Sequence, residues 1–119
     1  MRFMFLVKAD ENQGTPPQAL MDAMGPYIEE AMKAGTLIDT GGLAPGAMST
    51  RVRLAGGNLT VVDGPFSEAK EVVGGYAVME FNSKEEAIEA AKQFLELHIK
   101  HWPGWEGASE VRQIFGPKD

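Results

Sequence analysis

The stretch MRFMFLVK, residues 1–8, is short, rich in aromatic and branched side chains, and ends at a polar turn over residues 10–14, which predicts a β-strand. Successive side chains of a strand point to opposite faces, so Phe3, Phe5 and Val7 cannot share a face with Met4 and Leu6. A strand apolar on both sides belongs in the middle of a sheet that is covered twice. Residues 72–81 repeat the pattern: Tyr76 and Val78 oppose Ala77, Met79 and Phe81.

Outward from these strands the chain alternates its period. Thr15 stands at an N-cap position with Pro16 at the first helical position and Gln18 three residues on, which predicts a helix carrying Leu20, Met24, Tyr27, Ile28, Ala31 and Met32 on one side and stopping at Gly35. Gly25-Pro26 conflicts with it, since an interior proline removes a hydrogen bond and predicts a kink or a split. Short strands follow at 37–43, 50–54 and 59–63, read as a meander, with Gly56-Gly57-Asn58 as a hairpin turn. Gly74-Gly75, near the start of the 72–81 strand, suggests a bulge or a close approach. Ser83 and Glu86 form a capping box for a helix over 84–98, and a last strand spans 110–115.

The order is βα, several strands, then αβ. It predicts an α+β, ferredoxin-like antiparallel sheet with two helices on one face and an extra β-hairpin, in a single domain over 1–119. At 119 residues such a domain buries roughly two thirds of its unfolded surface, enough for a core. Two helices on one face leave the other bare, and because that face is also apolar, a second copy is the simplest cover, giving a homodimer.

Composition narrows the classes of function. A formal charge of −6, with Arg51 and Arg53 as the only close basic pair, argues against nucleic acid as a partner. The absence of cysteine removes disulfides and thiolate chemistry and fits a reducing, cytoplasmic setting. No apolar run reaches the roughly 20 residues of a membrane helix, and the opening stretch meets Lys8 and Asp10 too soon for a signal peptide, so neither membrane insertion nor secretion is expected. The glycine pairs are not followed by a Gly-x-x-Gly helix entry, so no phosphate-bearing cofactor is expected.

The most distinctive segment is Asp63-Gly64-Pro65-Phe66-Ser67-Glu68-Ala69-Lys70-Glu71, followed by Gly74-Gly75-Tyr76. With the opening strand, Gly41-Gly42, the helix from Ser83 to Leu95 and Glu110-Val111-Arg112, it resembles the DGPF-domain proteins of the YCII-related family over nearly the whole chain. The resemblance implies a dimeric α/β barrel in a bacterial family of largely unassigned role, often associated with sigma factors of the extracytoplasmic-function type. Other members of that family are suspected of acid/base chemistry through a His at the start of the first helix and an Asp after the second. Here the first of these positions reads Pro17-Gln18-Ala19-Leu20-Met21, and the second reads Leu97-His98-Ile99-Lys100-His101, so the dyad does not carry over.

The remaining candidates are weighed on their own chemistry. Asp63, at a strand end beside a Gly-Pro turn, is either a general base or a turn cap accepting an N–H such as that of Phe66. Lys70 could meet a substrate carboxylate, or be solvated. His98 and His101 are three apart and share a side of a helix, but a third metal ligand is missing. Trp102-Pro103-Gly104-Trp105 either walls a ligand cleft or locks the chain reversal. The leading expectation is a cofactor-independent acid/base enzyme, with Asp63 and His98 catalytic and Lys70, Tyr76, His101 and Trp102 binding a small molecule. The alternative is a non-catalytic dimer that binds a ligand or a regulatory protein.

Overall fold

The computed structural model describes residues 1–66 and 72–116. Its main body is a four-stranded sheet in the order β2-β5-β1-β6, with β1 Arg2–Ala9, β2 Leu37–Gly42, β5 Val72–Glu80 and β6 Gly107–Ile114. β1 pairs antiparallel with both β5 and β6, and β2 pairs antiparallel with β5. The two-faced opening strand is therefore central. Helices α1 Gln18–Lys33 and α2 Lys84–His101 enclose the core with one face of the sheet. Phe3, Phe5, Leu37, Met79, Ala87 and Ala91 form that core, and Ile28 and Ala31 of α1 pack against it. Among the described residues no helix is long and apolar enough to cross a membrane.

Strand register assigns every side chain to a face. Phe3 lies opposite Met79 and Phe5 opposite Ala77, on the helix side. Met4 opposite Val78, and Leu6 opposite Tyr76, occupy the other side, together with Glu110 and Arg112 of β6. On this open face Lys8 Nζ bonds Glu110 Oε1 at 3.1 Å, and Arg112 also pairs with Glu110. Lys8 first, then Arg112, hold the Glu110 carboxyl below the usual range.

Several expectations are corrected. Thr15 does not cap α1: Pro17 occupies the cap position at φ −62°, ψ 151°, without a side-chain cap bond. A residue before proline is disfavoured in the helical region, so Pro16, preceding Pro17, cannot begin the helix. Gln18 instead donates to Asp22 Oδ1 at 2.9 Å. Pro26 does not split α1, which runs unbroken for 16 residues. Gly25 and Pro26 are exposed, so the disturbed hydrogen bonding faces water.

The meander is also corrected. After β2 the chain turns away through a 3-10 turn at Gly46–Met48 and forms a separate two-stranded sheet, β3 Thr50–Ala55 with β4 Asn58–Asp63. β2 pairs with β5 directly, and Leu43 N–H extends that pairing to Gly74 O at 3.0 Å. The hairpin turn is Gly56-Gly57, with φ of 56° and 79°, the left-handed pair that a two-residue loop requires and that glycine supplies without strain. α2 begins with Ser83 accepting from Glu86 N–H, as the capping box predicts, and runs past 98 to His101.

Candidate functional site

α1, α2 and the helix side of the sheet leave a cleft of about 740 Å³ between them. Its walls are largely apolar: Leu20, Met24, Tyr27 and Ile28 from α1, Phe5 and Met79 from the sheet, and Phe94 from α2. Asp10, Gln13, Thr40, Ser109 and His98 supply most of its side-chain polarity. Asp10 is the only charged residue among the described ones that line it, and its Oδ1 already accepts Asn12 N–H at 2.9 Å.

Among the described residues His98 is the one buried polar side chain, 7% exposed. It lies on the last turns of α2, and its Nδ1 is 3.1 Å from Phe94 O, one helical turn back. A carbonyl can only accept, so Nδ1 carries the proton and Nε2 presents a lone pair. Nε2 has no hydrogen-bond partner among the described residues, yet no fully buried side-chain N or O atom there lacks one, so Nε2 is not fully occluded, in a residue that lines the cleft. Desolvation by burial lowers the His98 pKa below its ordinary 6.5, against a smaller opposing effect of the Phe94 carbonyl. The ring is neutral at physiological pH.

Aromatic packing fixes this imidazole. Ring centroids lie 4.8 Å away at Phe94, 4.4 Å at Trp105 and 6.4 Å at Trp102, the last nearly parallel at 18°. The Trp102–Trp105 segment both walls the cleft and locks the reversal: Trp102 N–H closes α2 on His98 O at 2.8 Å, and Trp105 N–H returns to Trp102 O at 3.1 Å. Gly107 completes the fit, since a Cβ there would lie 2.4 Å from the Trp105 ring and 2.6 Å from Lys8 O.

The other candidates do not gather around His98. Asp63 ends the exposed hairpin, where its Oδ1 accepts the Thr50 hydroxyl at 2.9 Å, and it does not line the cleft. The bond joins paired residues across β3 and β4, so Asp63 ties two strands through Thr50 and does not cap a turn through Phe66. His101 is half-buried and also off the cleft. Lys70 lies outside the described residues. Tyr76 borders the cleft along its strand, but its ring is on the open face: the hydroxyl donates to Asp39 Oδ2 at 3.0 Å, and the ring packs 3.0 Å from where a Gly41 Cβ would stand. The bond to Asp39 raises the Tyr76 pKa. No three His, Asp or Glu among the described residues are placed to hold a metal ion.

Tyr27 was not singled out from the sequence as a site residue. It lines the cleft, half-buried, and burial raises its pKa, keeping the phenol neutral. Its signal was a hydroxyl standing on the apolar side of α1, in the company of Leu20, Met24, Ile28 and Ala31.

No curated protein matches the chain. A family model, the YCII-related domain, matches residues 1–95, from β1 through most of α2. The match covers most of the chain, and the protein belongs to the YCII-related domain family.

Proposed function

We propose that the protein binds a small organic molecule in the cleft between helices and sheet and that His98 Nε2 withdraws a proton from it, without a metal or organic cofactor. The Nε2 lone pair, not fully occluded and on a residue that lines an apolar cleft, carries this reading. The proton leaves the bound molecule for Nε2, giving an imidazolium whose Nδ1–H stays on the Phe94 carbonyl, and it returns to product or solvent when the cycle closes. Burial favours the neutral ring before transfer and makes the imidazolium a ready donor afterwards.

The DGPF motif supports placing the chain in that subgroup of the family, and the sheet order with two helices on one face supports a ferredoxin-like arrangement. The partly apolar open face, with Met4, Leu6, Tyr76 and Val78, supports a homodimer closing two sheets into an α/β barrel. We place the protein in a bacterium on the same family resemblance, and in the cytoplasm on its lack of cysteine.

One observation favours a second reading. Nδ1 is held by a backbone carbonyl instead of a carboxylate, which suits a binding site as well as a catalytic one, so the alternative is a non-catalytic ligand-binding dimer, with or without a regulatory protein partner. The two separate with 4-phenyl-2-butanone in D2O, following α-proton loss by NMR. Exchange faster than in an equal concentration of imidazole, abolished in His98→Phe, supports proton transfer. Binding without accelerated exchange supports the non-catalytic reading.

A further inference from the structure

The lining of the cleft restricts what it can hold, and this inference rests on the small-molecule reading above. Among the described residues no Lys or Arg lines it, and the one carboxylate, Asp10, is exposed to water and accepts a backbone N–H on Oδ1. A carboxylate or phosphate entering would lose its hydration with no cationic side chain to replace it. A cation is attracted by the aromatic faces, but among the described residues the one carboxylate on the cleft, Asp10, is exposed and screened by water, so an ammonium would shed its hydration without a buried counter-charge. His98 Nε2, on a buried residue of the lining, is an acceptor with no partner among the described residues, and it cannot donate while Nδ1 holds the proton. We infer that the cleft selects an uncharged molecule with an apolar, preferably aromatic body and a single O–H or N–H donor directed at His98 Nε2, with phenols, enols and indole-type N–H groups as the chemical class.

The apolar body fills the space between Met24, Ile28, Phe5 and Met79, while the donor end lies against the aromatic surround of His98. Removing the donor leaves a desolvated acceptor unpaired, so discrimination against an otherwise identical molecule is large.

Four probes of matched body test this: 4-butylphenol, its methyl ether, 4-butylbenzoate and 4-butylbenzylamine, titrated at pH 7.5. Both tryptophans of the chain, Trp102 and Trp105, line the cleft, so tryptophan emission reports on it directly. The phenol is expected to bind at least about tenfold more tightly than the ether, the benzoate or the amine, from the cost of an unpaired acceptor or a desolvated charge. In His98→Phe the phenol and the ether should bind alike, and His98→Gln, which restores an acceptor oxygen, should recover part of the preference. Retained ether binding shows that each variant is folded. Equal binding of phenol and ether by the unmodified protein overturns the inference. Tighter binding of the benzoate overturns it too and would point to the uncapped N-terminus of α1, and tighter amine binding would point to Asp10. If none of the four binds, the cleft reading itself fails.

Discussion

The four-stranded body and the β3–β4 hairpin are built from similar side chains and treat them in opposite ways. In the body Phe3 is 1% and Phe5 5% exposed, whereas in the hairpin Val52, Leu54, Leu59 and Val61, which share one face by register, are 65–71% exposed. A two-stranded ribbon is at best marginally stable alone, so what holds this one is its ladder, its glycine turn, the Thr50–Asp63 bond and the Gly64 N–H to Ser49 O bond of 2.7 Å at its base. The same contrast separates the two residues first considered for catalysis. His98 sits in the body, desolvated and oriented, while Asp63 sits in the hairpin, exposed and tied to a neighbour. A fold desolvates a titratable group where it also gives apolar groups a core.

Stability measurements can break this comparison. Phe3→Ala should cost about 3–5 kcal/mol in denaturant unfolding, because it empties the centre of the core. Leu54→Ala should cost no more than about 0.5 kcal/mol, the usual range for surface positions. A hairpin substitution costing several times that would mean that its apolar face is covered in solution. Between these extremes, Gly107→Ala should cost about 1–3 kcal/mol, through overpacking against the Trp105 ring and the Lys8 carbonyl, and should shift tryptophan emission as that ring moves.

A smaller effect depends on pH. The His98 pKa is lowered on folding, so as the pH falls the unfolded chain takes up this proton first. The stability tied to the neutral ring is complete above about pH 6.5 and is lost as the pH falls through the folded-state value. Unfolding curves of the native protein should therefore weaken on acidification below 6.5 more steeply than those of His98→Phe. Asp10, Tyr27 and Tyr76, the other ionisable residues on the cleft among those described, remain in both proteins and cancel in the difference. The smallest effect is expected for Asp63→Asn, which removes an exposed charge but leaves an amide oxygen to accept the Thr50 hydroxyl: about 0.5 kcal/mol or less, with tryptophan emission unchanged.

How much of this was legible in the sequence follows from range. The central position of β1 could be read from Phe3, Phe5 and Val7 alternating with Met4 and Leu6, because a strand of period two reports both faces locally. The same parity, carried to residue 76, already separated Tyr76 from Ala77 and Met79, and so from the cleft; grouping Tyr76 with His98 overlooked it. His98 could be picked out as a titratable group, and its bond to Phe94 O spans one helical turn, but its burial depends on Trp102 and Trp105 folding back over it. The separation of β3–β4 from the main sheet was not legible: alternation marks a strand, not its partner, and pairing of β2 with β5 skips both intervening strands.

The central claim is that His98 presents an unprotonated Nε2 to the cleft. Long-range 1H–15N NMR of the histidine side chains, recorded from pH 5 to 8, tests it most directly. The account predicts that His98 titrates with a midpoint below 6.5, that its neutral form carries the proton on Nδ1, and that 4-butylphenol shifts the Nε2 resonance. A midpoint at or above 6.5, or a neutral form protonated on Nε2, would contradict it.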